Sequence, residues 1–253
     1  MIVNFIRQDY CHLYNQNGQI DIILEDSNFR TNPFFIALSD RSFSKDDFIE
    51  TQIQFFFAVV FFNRPMAALA AKIPTAQLRL EVLRNVWEEH GEGSSKNMHS
   101  ETFMEFLKRL DNILPAEIEC RTLWPEIRAF NTTLTGCCVL DEYMTGVGVM
   151  GIIERMFAEI SAWIGNEIVN RGWMTRSSLI HYTLDEELDI KHSQDFFDVL
   201  EYSWEESLED QYAIEQGLRL GAYIFNRLYE DLYHARTRRM LRETSGHHSR
   251  ASG

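Results

Sequence analysis

Residues 142–170 read EYMTGVGVMGIIERMFAEISAWIGNEIVN. Apolar residues return every three or four positions without a proline, which is the period of an α-helix. Within this stretch Glu154 directly follows Ile152 and Ile153 and lies within reach of Met150, Gly151 and Phe157. A lone carboxylate in such surroundings is unfavourable, so Glu154 calls for a partner: Arg155, a residue from another helix, or a cation.

The same period extends in both directions. Downstream, Arg171-Gly172-Trp173 ends the helix, and the pattern predicts helices over Thr175 to Trp204 and Glu209 to Arg236. Upstream, Ser44 with Asp47 three residues on starts a helix over Phe48 to Lys72, kinked or broken at Pro65 and stopped by Pro74. Another begins at Thr75 or Ala76, turns Leu78, Val82, Leu83, Val86 and Trp87 inward, and ends in Gly91-Glu92-Gly93. Helices follow over His99 to Leu110 and over Pro115 to Leu134, the second interrupted at Pro125. A first helix over Ile2 to Tyr14 and a short one opening at Pro33 complete the set. No alternating strand pattern and no repeat of 20–50 residues competes with this reading. The expectation is an all-α, single-domain bundle of seven substantial helices over residues 1–240, with a polar tail at 241–253.

Composition narrows the class of partner. The 253 residues are 45% apolar and 25% charged, an ordinary globular balance. With 24 basic against 38 acidic side chains the net charge is −14, which repels nucleic-acid phosphates and anionic lipid surfaces and leaves a small molecule as the expected partner. The longest apolar run, Phe55 to Phe62, is far short of the roughly 20 residues a membrane span requires. Met1 to Asp9 has neither the apolar core nor the cleavage site of a signal peptide, so a cytoplasmic protein is expected. Cys11, Cys120, Cys137 and Cys138 form no Cys-x-x-Cys pair and read as buried thiols.

Acids and histidines on inward stripes carry the chemistry. Asp185, Asp189 and His192 are spaced four and three apart and share one helix face. Glu89 stands three residues beyond Val86 and seven beyond Val82, and His99 opens the next helix. With Glu154 these residues bring carboxylates and imidazoles from three or four helices, the donor set of non-haem di-iron or di-manganese centres. The paired Glu-x-x-His signature of ferritin-like proteins is absent. The Phe55, Phe56, Phe57, Phe61 and Phe62 block, Tyr143, Trp163 and Tyr223 read as core, part of which could wall an apolar pocket.

Asn32-Pro33-Phe34-Phe35, Val86 to Gly91 followed by His99 to Phe103, Gly151 to Glu154, and Leu188 to His192 together resemble the haem-oxygenase-like di-iron oxidase and oxygenase family, which includes the chlamydial protein associating with death domains and N-oxygenases of natural-product pathways. The resemblance covers most of the chain and implies a haem-oxygenase-like bundle. It also implies two iron ions, dioxygen as co-substrate, and oxidation of a small amine, amino acid or carboxylic acid in natural-product or cofactor biosynthesis. Glu89, His99, Glu154, Asp189 and His192 match the family's ligand pattern, with Glu88 and Glu92 as the other candidates for the first ligand. The family's remaining histidine falls at Asp185, a carboxylate that can itself ligate iron or manganese. His181 lies eleven residues before His192, about 16 Å along a helix, and is assigned to the pocket. Bundles of this kind often pair as homodimers.

Three other readings share the pattern. Pyrroloquinoline-quinone synthase and thiaminase-like proteins are similar in length and helix order; a cofactor-free site of that type would use His90, His181 and His192 as acid–base or substrate contacts. Haem oxygenase would require His12 as its proximal ligand. A non-catalytic interaction protein would leave the inward ligand set without a purpose.

Overall fold

The computed structural model describes residues 15–242, the side chains of residues 183–189 excepted. The helix expected over Ile2 to Tyr14, with His12 and Cys11, and residues 243–253 of the tail lie outside the described residues.

Ten α-helices make up the described chain: α1 (Gln16–Asp26), α2 (Pro33–Ser39), α3 (Lys45–Lys72), α4 (Ala76–Glu89), α5 (His99–Asp111), α6 (Pro115–Glu119), α7 (Pro125–Thr135), α8 (Tyr143–Asn170), α9 (His181–Glu206) and α10 (Leu208–Ala235). The all-α expectation holds. The only β-type pairing among the described residues is an isolated bridge between Arg121 and Leu241. Around it the chain after α10 lies against the α6–α7 loop, with Thr122 N donating to Met240 O at 2.8 Å and Arg242 N to Cys120 O at 2.9 Å.

Local chemistry sets the element ends. The Ser44 hydroxyl accepts from Asp47 N at 3.1 Å, and Asp46 and Asp47 sit in the first turn of α3, where the helix dipole favours acids. Proline occupies the first turn of α2, α6 and α7, where its missing N–H costs nothing. Two boundaries differ from the sequence expectation. Helix α1 is additional to it; Asn15 caps this helix by accepting from Gly18 N at 2.9 Å. Helix α9 begins at His181 rather than Thr175, after a 3₁₀ turn over Arg176–Ser178. The expected interruption at Pro125 is present, with α6 ending at Glu119 and α7 opening at Pro125, and α3 runs unbroken through Pro65.

Helix α8 is the axis of the bundle, packed chiefly against α9 and α10. The α8–α10 approach is close enough to require glycine: a Cβ on Gly217 would lie 2.3 Å from Thr145 O, and one on Gly221 would lie 2.4 Å from Ile152 Cγ2. Helix α3 is long and apolar enough, by length and composition, to suit a bilayer, but it packs against α4, α5 and α7. Its polar residues bond inside the bundle: Gln54 donates to Thr122 O and accepts from Trp124 N, while Glu50 pairs with Arg121 at 3.0 Å. These bonds hold α3 in one register against its neighbours. At one end of the bundle Arg171 donates to the carbonyls of Leu38 and Phe43 and stacks 4.1 Å over Trp173, tying the α2–α3 loop to the end of α8.

Candidate metal centre

Three helices deliver the central donors. Glu89 is the last residue of α4, Glu154 stands mid-way along α8, and His192 is in the first half of α9. All three are buried, with relative exposures of 4%, 3% and 0%. One donor atom from each lies within 4.8 Å of the others. Two carboxylates gathered this closely away from water repel one another, and a cation between them converts that repulsion into attraction. The donors are hard carboxylate oxygens and imidazole nitrogen, the ligand types that suit iron or manganese.

A fourth donor joins through the turn after α4. Gly91 (φ +69°), Glu92 (φ +53°) and Gly93 (φ +85°) reverse the chain, and His99 reappears as the first residue of α5. At Gly91 no side chain fits, because a Cβ would lie 2.6 Å from Met98 N and 2.7 Å from Asn97 C. The result is a contact of 2.9 Å between His99 Nδ1 and Glu89 Oε1. Burial by itself would push the Glu89 carboxyl up; the charge and hydrogen bond of His99, with smaller help from His192 and His90, hold it below the ordinary carboxylate range.

Asp185 and Asp189, the other expected ligands, belong to α9 by backbone, but their side chains fall outside the described residues. Glu92 is exposed. Glu88 faces His192 rather than Glu154 or His99: its Oε2 lies 2.6 Å from His192 Nε2 and its Oε1 2.7 Å from Lys191 Nζ. His90 points to solvent with Nδ1 2.6 Å from Val86 O, so it does not serve the interior as the cofactor-free reading required.

Beside the donors lies a cavity of about 50 Å³. Glu89, His99, Glu154 and His181 form its polar side, and Ala58, Val59, Phe62, Phe130, Phe157 and Phe225 form much of its apolar wall. His181, expected in the pocket, is there. Its Nδ1 is 3.2 Å from Thr102 Oγ1 and its ring packs 4.6 Å from Phe103. Burial, and then the neighbouring His99, push its imidazole well below the usual range, which keeps it neutral. Of the aromatic block on α3 only Phe62 reaches the cavity. Tyr143 bonds Ser203, Trp163 packs on Phe29 and Phe35, and Tyr223 is 65% exposed. Phe130, Phe157 and Phe225 supply the wall instead; their helical spacing resembles that of every other core phenylalanine, so the sequence carries no signal that separates them.

The fold is shared with proteins of distant sequence. A TenA homologue from Pseudomonas syringae pv. tomato superposes with a TM-score of 0.71 at 14% identity, covering 88% of this chain and 95% of that one. A domain of unknown function with a heme oxygenase-like fold from Shewanella denitrificans gives 0.68 at 11% identity, covering 93% of each chain. A TenA homologue from Pyrococcus furiosus gives 0.63 at 14% identity, covering 84% of this chain and 98% of that one. No curated protein matches the chain significantly. Residues 50–225, well over half of the chain and spanning Glu89, His99, Glu154, Asp185, Asp189 and His192, match the family described as iron-containing redox enzyme. The chain therefore has the haem-oxygenase-like fold and belongs to that iron-containing redox family.

Proposed function

We propose that the protein is a non-haem di-iron oxidase or oxygenase that uses dioxygen to oxidise a small amine, amino acid or carboxylic acid. The observation that carries this reading is the buried convergence of Glu89, Glu154 and His192 within 4.8 Å, with His99 against Glu89, at the edge of an apolar cavity. Asp185 and Asp189, four and three residues apart from one another and from His192, would complete the ligands for a second ion. Bound ferrous iron would supply the electrons and open coordination positions that dioxygen requires.

The chain's own residues do the rest. Glu89, held ionised by His99, offers a charged oxygen at the junction of α4 and α5. The phenylalanine wall keeps water from the reacting atoms and leaves little room beyond a compact substrate group. Among the described residues no lysine or arginine lines the cavity, so a substrate carboxylate would be held by the centre itself rather than by a side-chain cation. The −14 net charge supports a small-molecule substrate over nucleic acid or a membrane surface.

A cofactor-free enzyme is the second reading, favoured by one observation: neutral His181 faces the same cavity beside Thr102, where it could exchange a proton with a substrate. Oxygen-electrode measurements separate the two. The di-iron reading expects ferrous-reconstituted protein to consume dioxygen and the Glu154→Ala variant to lose that uptake. Equal uptake by the variant, or none by the wild type, contradicts it.

A further inference from the structure

Glu88 and Glu89 are neighbours at the end of α4, yet they do different things. Glu89 meets His99 and the cluster, whereas both oxygens of Glu88 are taken by α9: Oε2 by His192 Nε2 at 2.6 Å and Oε1 by Lys191 Nζ at 2.7 Å. Side-chain exposure falls along this row, from 45% at Lys191 through 13% at Glu88 to 0% at His192. The other ring nitrogen, His192 Nδ1, is buried and makes no hydrogen bond among the described residues. One turn earlier on α4, Asn85 Nδ2 donates to His192 O at 3.4 Å, so the same face of α4 grips both the backbone and the ring of this histidine.

An imidazole that gives its proton to a carboxylate through one nitrogen keeps its lone pair on the other, and the carboxylate also fixes the plane of the ring. We propose that Glu88 is a positioning residue of the centre: it accepts the Nε2–H of His192, aims Nδ1 at the ion shared by Glu89 and Glu154, and is itself pinned by Lys191. The inference rests on the metal-centre reading and adds to it the ligating nitrogen of His192 and the residues that orient it. In this arrangement Lys191 does not touch the ion. Its ammonium occupies the second oxygen of Glu88, so that the carboxylate cannot swing inward and take the histidine's place.

The test uses the full chain with ¹⁵N-labelled histidine, loaded with Zn(II) as a diamagnetic probe. Long-range ¹H–¹⁵N correlation reports which ring nitrogen holds the metal, and chelator competition reports affinity. In the wild type, His192 is expected to hold Zn(II) through Nδ1 and to carry its proton on Nε2. Glu88→Ala is expected to weaken Zn(II) binding by about 10–100-fold, the usual cost of removing such a partner. Glu88→Gln keeps an acceptor for Nε2–H, so it is expected to retain the Nδ1 signature and most of the affinity. Metal on Nε2 in the wild type overturns the proposal even if Glu88→Ala fails to fold. So does a folded Glu88→Ala that binds as tightly as the wild type, or a Glu88→Gln no better than Glu88→Ala. A wild type that takes up no Zn(II) and no Fe(II) overturns the metal-centre reading as well, an outcome distinct from the other three.

Discussion

His99 Nδ1 lies 2.9 Å from Glu89 Oε1, joining the last residue of α4 to the first residue of α5 across a turn that only glycine at position 91 allows. This contact places an imidazole and a carboxylate at a helix junction, where neither has to cross the core. Donors from α8 and α9 then come within 4.8 Å of Glu89. Deleting a donor should therefore cost more than deleting a supporting hydrogen bond. Glu89→Ala and Glu154→Ala are each expected to lose iron affinity by more than roughly 100-fold. Chelator competition measures this, and a variant within about threefold of the wild type would remove that residue from the ligand set.

Metal binding to the folded state alone must also appear as stability. At free ion about 100 times above Kd the gain is about 2.7 kcal/mol. For a chain of this size, at about 2–4 °C per kcal/mol, Tm should rise by roughly 5–11 °C on adding Fe(II) anaerobically and fall back with chelator. Differential scanning fluorimetry of wild type and Glu154→Ala checks it: the wild type shifts and the variant does not.

Gly91 is the next pressure point. With φ at +69° and backbone atoms 2.6–2.7 Å from where a Cβ would stand, Gly91→Ala should cost about 1–3 kcal/mol and displace His99 from Glu89. Urea unfolding gives the first number and iron content the second. A variant that is destabilised but fully metallated would show that the turn serves only the fold.

The adjacent thiols make a pH prediction. Burial pushes the Cys138 thiol up to about 12, with the neighbouring Cys137 adding to the shift. The folded chain therefore keeps a proton that the unfolded chain releases from about pH 9 upward. Where the native state binds more protons, stability falls as pH rises, so this contribution is lost between about pH 9 and 12. Urea titrations at pH 8 and pH 10 should show a smaller loss in Cys138→Ala than in the wild type. An equal loss contradicts the burial argument.

Sequence patterning located the helices that carry the centre but not their mutual arrangement. Glu154 stood out because Ile152, Ile153 and Phe157 leave a carboxylate no water, and the structure finds it 3% exposed. On α4 the inward reading holds at Val82 and Glu89 and fails at Leu83 and Trp87, which are 45% and 54% exposed; Asn85, three residues after Val82 and four before Glu89, is buried with them. Reading inward positions by apolarity fails where a site puts polar residues in the stripe, and that is where function departs from patterning. Helix α1 escaped notice because Asn17-Gly18 resembles a turn and only Ile20 and Ile23 among its apolar residues are buried. The pairing of Glu88 with His192 spans 104 positions, and helical periodicity holds no information at that range.

The central claim is that these carboxylates and imidazoles meet because iron holds them. Elemental analysis of the full-length chain, reconstituted with ferrous iron without oxygen and then desalted, measures it directly. The account predicts about two irons per chain, falling sharply in Glu154→Ala. A chain that retains no iron would contradict it.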